Sequence, residues 1–217
     1  MIYIVDFGSQ TTHLINRRIE RMGVPTKILT PSKFEKAISK KKPSGIILSG
    51  GPSSVTQANS PTVHKKIFEM NIPILGICYG LQLTSKLLGG KVIAGEIQEF
   101  GPAQLQIVKD SKLFKGIPKR STVWMSHGDR VEKIPKGFSI VGSTKDVEVA
   151  AISNESENIY GIQFHPEVSH TKYGEEILEN FVKNCGLEAK DSKVDIEAVV
   201  EKLKEEMPEG NAICGVS

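Results

Sequence analysis

Gly76-Ile77-Cys78-Tyr79-Gly80 constrains the fold more than any other stretch of the 217 residues. An apolar run from Pro73 to Ile77 stops at a cysteine with a glycine two residues to either side, and a helical pattern begins at once. This is a G-x-C-x-G analogue of the nucleophile elbow. In that elbow a strand turns into a helix so sharply that the flanking positions have room only for glycine, and the apical side chain is thrust outward. A thiol there also faces the positive end of the helix dipole, which favours the nucleophilic thiolate. The alternative, a cysteine packed as a small hydrophobe, does not call for both glycines.

The rest of the chain fits a parallel sheet around that corner. Strand-like runs at Ile2 to Val5, Gly45 to Ser49 and Pro73 to Ile77 alternate with helical patterns at Thr12 to Met22 and Thr62 to Met70, the rhythm of βαβ units. After Leu88-Gly89-Gly90 the texture changes to short runs at Ala103 to Val108, Ser121 to Met125 and Ser139 to Ser143, read as antiparallel or mixed strands. Tyr160 to Phe164 reads as a further strand and Gly174 to Lys183 as a closing helix with Ile177, Leu178, Phe181 and Val182 on its apolar face. The expected fold is an open, mainly parallel, flavodoxin-like α/β sheet with helices on both faces, plus a small antiparallel or mixed sheet.

A cysteine nucleophile needs a base and the base needs an orienting partner. His165 falls just past the end of the Tyr160 to Phe164 strand, Pro166 restricts the backbone, and Glu167 lies where its carboxylate can hold the imidazole tautomer. In an open parallel sheet ligands bind beyond the carboxyl ends of the strands, and both Cys78 and His165 occupy such ends. A third strand end runs into Gly50-Gly51-Pro52, whose backbone N–H groups, with that of Tyr79, can serve as an oxyanion hole. No Gly-Lys-Ser/Thr follows, so this is not a phosphate loop.

Composition narrows the partners. A net charge of +3, with Lys40 to Lys42 as the densest basic run, gives no nucleic-acid footprint. No long apolar segment is present to enter a membrane. Three widely spaced cysteines, Cys78, Cys185 and Cys214, argue for a reducing interior, and the strand-like start leaves no room for a signal peptide, so the expected location is cytoplasmic.

Taken in order, Gly50-Gly51-Pro52, Gly76 to Gln82 and Phe164 to Glu167 resemble the class I (triad) glutamine amidotransferases. The further motifs Asp6 to Gln10, Gln98 to Ala103, Trp124 to Asp129 and His165 to Thr171 are similar to the glutaminase domains of GMP synthetases. The resemblance covers Met1 to about Cys185. It implies that Cys78 attacks the side-chain amide of glutamine, His165 shuttles the proton and Glu167 orients it. Gly51 and Tyr79 would cradle the oxyanion, while Gly50, Gln82 and the turn Ser126, His127, Gly128 and Asp129 would hold the substrate. On that reading His127 is a loop residue shaping the pocket and His170 is structural or interfacial. Gln98 stands where the family carries arginine, and Thr11 and His13 also depart from its pattern.

The expected division is residues 1–186 as the amidotransferase domain and 187–217 as a linker, a helix bearing Ile196, Val199, Val200, Leu203 and Met207, and the start of an ATP pyrophosphatase domain. That domain in cis is the implied partner. It would use ATP and Mg to convert XMP to GMP with the ammonia released here, and any homodimer contact would lie in it. This stretch carries no cofactor or metal site by the same reading. Two rivals share some of these features: a cysteine hydrolase of the same fold acting on another amide, which need not bind free glutamine, and a non-enzymatic module, which would not need Cys78, His165 and Glu167.

Overall fold

The computed structural model describes residues 1–190, and side chains 95–98 within that span are left aside. The expected helix carrying Ile196 to Met207, and Cys214, lie outside the described residues. Nine strands form one sheet: β1 (Ile2–Val5), β2 (Thr26–Leu29), β3 (Gly45–Leu48), β4 (Ile74–Ile77), β5 (Lys91–Ile107), β6 (Arg120–Lys133), β7 (Ser139–Ser143), β8 (Ala151–Asn154) and β9 (Ile159–Ile162). Their order is β2-β1-β3-β4-β9-β8-β7-β5-β6. The first five are parallel and the remaining pairings antiparallel. The antiparallel part is therefore not a second small sheet. It joins the parallel part edge to edge through β9, which pairs with β4 on one side and β8 on the other.

Period-2 alternation in β1 sorts its residues between two cores. Ile2 and Ile4 join Ile47, Leu75 and Ile77 on one face, covered by α1 (Thr12–Arg21) through Ile15 and Ile19 and by α4 (Gly174–Asn184) through Ile177, Leu178, Phe181 and Val182. Tyr3 and Val5 join Ile46, Leu48 and Ile74 on the other, covered by α2 (Pro31–Ile38) through Phe34 and Ile38 and by α3 (Tyr79–Leu87) through Leu83. Both faces are buried, which is why the parallel strands read as continuous apolar runs.

The helix expected over Thr62 to Met70 is only a five-residue 3-10 turn, Lys65–Glu69. His64 is extended and its imidazole accepts the Lys66 N–H, and Asn71 (φ 55°) reverses the chain straight into β4, so the segment has no length for an α-helix. It still buries Ile67 and Phe68 against the second core. Beyond α4, Leu187 and Ala189 pack against the first core and the Lys190 N–H donates to the Met22 carbonyl (2.9 Å), so this polar-looking stretch is docked on the α1 side. No helix among the described residues is long and apolar enough to cross a membrane.

Candidate active site

The carboxyl ends of β1, β3, β4 and β9 converge on one place. At the end of β4 the chain turns into α3 with Cys78 at φ 51°, ψ −106°, a strained backbone for a residue with a Cβ. The turn is closed by the Cys78 N–H to Ile162 carbonyl hydrogen bond (2.8 Å) and the Gly80 N–H to Ser49 carbonyl hydrogen bond (3.1 Å). The flanking glycines are required by contact. A Cβ on Gly76 would stand 2.6 Å from the Gly80 carbonyl, and one on Gly80 would stand 2.2 Å from the Leu48 carbonyl oxygen, backbone that cannot step aside. Gly80→Ala is accordingly expected to destabilise the fold by roughly 3 kcal/mol, lowering Tm by on the order of 10 °C in a thermal melt. An unchanged Tm would mean that the corner is not the tight elbow described.

From the end of β9, His165 and Glu167 reach back toward Cys78. His165 Nδ1 lies 2.7 Å from Glu167 Oε1, and both residues are buried. The His165 N–H donates to the Trp124 carbonyl on β6 (3.0 Å), and the Thr171 hydroxyl donates to the His165 carbonyl (2.6 Å). Arg18 Nε on α1 donates to the Glu167 carbonyl (2.7 Å). Burial by itself pulls the His165 pKa down, but its hydrogen bonds to the Cys78 sulfur and the Glu167 carboxylate, with their charges, outweigh this and push it up to about 10. In its thiol form Cys78 donates to the Ser126 carbonyl (3.6 Å).

Two clefts meet at Cys78. One, of about 290 Å³, is lined by Gly51, Cys78, Gln82, Ser126, His127, Gly128 and Asp129, with Ser53, Ser54 and Phe100 at its margin. The other, of about 320 Å³, is lined by Gly8 to Thr11, Trp124, His165 and Val168, and shares Gly51, Pro52, Cys78 and Ser126 with the first. A larger concavity of about 640 Å³ around Lys112 and Lys115 lies away from all of these residues. Gly50 lines neither cleft at the cysteine; it backs the His165 ring, where a Cβ would come within 3.1 Å of Cε1. The Tyr79 N–H belongs to the first turn of α3, where backbone donors lack helical partners.

Ser126 to Asp129, expected as a turn, instead lie inside the long strand β6. They line the cleft because β5 carries a register insertion opposite them. Ala94 pairs with Asp129 and Glu99 with His127, and the register shifts between these two pairs. His127 is thus a buried strand residue rather than a loop residue, with Nδ1 3.0 Å from the Asp129 carbonyl and Nε2 3.4 Å from Glu99 Oε2, too long for a good hydrogen bond. Burial lowers its pKa and prevails over the opposing pull of Glu99, leaving it neutral. Gln82 Nε2 donates to the Asp129 carbonyl (2.9 Å) and to Gln163 Oε1 (3.3 Å), and the Asp129 carboxylate accepts from the Ser54 hydroxyl. His170 lies against Trp124, ring centroids 4.4 Å apart with the planes tilted by 35°, and Trp124 lines the second cleft.

In the sequence Asp6 to Gln10 stand out as a motif and Thr11 as a departure from the family pattern, but neither carries a site role there. Ser9 and Thr11 line the second cleft, and the Thr11 hydroxyl donates to Glu167 Oε1 (2.6 Å). The available signal was position: Asp6 to Thr11 follow a buried parallel strand directly, as the three sequence-identified site segments do.

Among known proteins, the profile of the family described as Glutamine amidotransferase class-I matches residues 3–185. The whole chain is 43% identical to the GMP synthase [glutamine-hydrolyzing] of Staphylococcus aureus (strain JH9) and 44% identical to that of Staphylococcus carnosus (strain TM300), and spans 42% of the length of each. A solved structure from Thermoplasma acidophilum, assigned as one subunit of a GMP synthase, superposes with a TM-score of 0.79 at 32% identity, covering 93% of this chain and 96% of that one. A glutamine amidotransferase from Thermotoga maritima shares the fold at a TM-score of 0.65 and 22% identity, over 94% of this chain and 90% of its own. The chain belongs to the class-I glutamine amidotransferases.

Proposed function

We propose that the chain hydrolyses glutamine to glutamate and ammonia through Cys78, His165 and Glu167, and that a synthetase domain, in cis or on a separate chain, uses the ammonia to convert XMP to GMP with ATP and Mg, in the cytoplasm. The observation that carries this reading is the meeting of a strained cysteine elbow with a buried His165–Glu167 pair where two clefts join.

Glutamine lies in the first cleft with its side-chain amide at Cys78. Gln82 and the Asp129 carboxylate face its amino-acid end, and Ser126, His127 and Gly128 form the wall. The Cys78 sulfur attacks the amide carbon, and the carbonyl electron pair moves onto oxygen, where the Gly51 and Tyr79 N–H groups receive it. Because His165 stays protonated through neutral pH, it pairs with the Cys78 thiolate and holds a proton for the leaving nitrogen. The C–N bond breaks, ammonia departs with that proton, and a glutamyl thioester remains. Water then attacks the thioester and gives its proton to His165, and glutamate and the Cys78 thiolate are released.

Ammonia and glutamate release from glutamine, measured beside asparagine and a glutamine-containing peptide, tests the reading. Turnover of free glutamine alone is expected. Turnover of the peptide in its place would point to a hydrolase of another amide, and turnover of neither substrate, with or without an added synthetase and its ATP and XMP, to a non-enzymatic module.

A further inference from the structure

Thr11 sits at the N-cap of α1, where a threonine hydroxyl ordinarily accepts a hydrogen bond from the helix's first free N–H groups and adds ~1 kcal/mol of stability. Here it makes no cap hydrogen bond. It donates instead to Glu167 Oε1 at 2.6 Å, the same oxygen that faces His165 Nδ1 at 2.7 Å. The other carboxylate oxygen, Oε2, is buried without a hydrogen-bond partner among the described residues, so everything that holds this carboxylate converges on Oε1. Counting protons fixes the direction of the chain that follows. The Thr11 hydroxyl has one proton and gives it to Glu167, so at its 2.8 Å contact with Ser9 Oγ it must accept, and the Ser9 hydroxyl donates. The Thr11 N–H donates back to Ser9 Oγ (3.2 Å), locking the two hydroxyls together.

We propose that Thr11 is a positioning residue of the triad: the relay Ser9 O–H to Thr11 O–H to Glu167 Oε1 fixes the carboxylate that orients His165 and limits how strongly it holds the imidazole proton. This rests on the glutaminase reading above. A buried carboxylate with one engaged oxygen can swing about its last bond, and an imidazole that follows it loses its line to Cys78. The second donor on Oε1 also takes part of the negative charge that His165 Nδ1 would otherwise see. Other titratable or charged groups around the imidazole are Cys78 at the cap of α3, the neutral His127 on β6 and, through the Glu167 carbonyl, Arg18 on α1. None of them touches the Thr11 hydroxyl, so removing it changes the carboxylate's surroundings and leaves these in place.

The test uses Thr11→Val, which removes the hydroxyl at nearly constant shape, and Thr11→Ser, which keeps it. For Thr11→Val, kcat on glutamine should fall on the order of tenfold, as for loss of a hydrogen bond to a charged group, with KM changed less than twofold. Thr11→Ser should restore kcat. The deciding readout is the NMR titration of the 15N-labelled His165 side chain, assigned with His165→Ala. In Thr11→Val its midpoint should move to higher pH, because the carboxylate charge is no longer shared, and in Thr11→Ser it should return to the parent's. Should the valine variant fold poorly, Thr11→Ala is expected to show the same shift. A midpoint equal to the parent's in the hydroxyl-free variant overturns the proposal whatever the rate does, as does a kcat loss that serine fails to rescue. Absence of glutamine turnover in the parent chain would remove the glutaminase reading and leave the titration to judge Thr11 by itself.

Discussion

Cys78→Ala is expected to bring glutamine turnover to background, a loss of roughly 10⁵-fold or more, since nothing else at the site can carry the thioester. The fold should survive, because the exchange removes one sulfur at the mouth of two clefts. The backbone adds a second, independent expectation. At φ 51° an alanine keeps the strain of the elbow and a glycine does not, so Cys78→Gly should be as inactive as Cys78→Ala yet melt above it. The left-handed penalty is about 1–2 kcal/mol, equivalent to roughly 3–6 °C in Tm for a chain of this size. A glutamine-like chloroketone should label Cys78 alone. Cys185 is a poor competitor, because burial pushes its thiol up to about 12 and keeps it protonated at neutral pH. Labelling at Cys185 or Cys214 with Cys78 untouched would end the assignment.

His165→Ala should cost nearly as much, roughly 10⁴-fold or more in kcat, because the two residues act as a unit and the second loss finds little left to remove. Glu167→Gln should fall between, at roughly 10²-fold, since an amide oxygen still accepts from the imidazole and only the charge is gone. The pH dependence gives the sign. A histidine raised in the folded state contributes stability that is fully present below its ordinary value near 6.5 and is lost as pH rises through about 10. Removing the Glu167 charge should pull the upper end of that window down, and with it the alkaline limb of the rate profile. A Glu167→Gln variant as active as the parent, with an unmoved alkaline limb, would reduce the triad to a Cys78–His165 dyad.

Much of this was legible because the parallel strands are buried on both faces and therefore spell themselves as apolar runs: β1 and β7 fall where the sequence places them, and β3, β4 and β9 within a residue or two. The elbow was legible because glycine spacing at a strand end reports a steric requirement directly. β2, α2 and β8 went unread. β2 is a four-residue edge strand only partly buried, β8 is equally short, and α2 has just Phe34 and Ile38 to show as an apolar stripe, too few for a clear period. Ser126 to Asp129 looked like a turn because small and polar residues interrupt the apolar pattern. Their strand conformation is imposed by β5 across the hairpin, a partner no local window contains. The role of Thr11 was hidden for a similar reason: its bond to Glu167 joins residues 156 positions apart, and only the sheet brings them together.

The single nine-stranded sheet has a consequence for how the two reacting groups are held. Cys78 is addressed from β4, inside the parallel half, whereas the loop carrying His165 is stitched to the antiparallel half three times: through the Trp124 carbonyl, through Thr171 to the Trp124 N–H, and through the Lys172 N–H to the Thr122 carbonyl. The nucleophile and its base thus leave adjacent parallel strands, β4 and β9, and only the base's loop is also tied by backbone hydrogen bonds to β6. A load borne by the β5–β6 hairpin reaches the His165 loop through three hydrogen bonds and the thiol through one, from Cys78 to the Ser126 carbonyl. The hairpin therefore trims the placement of both reacting groups, the base more firmly than the nucleophile.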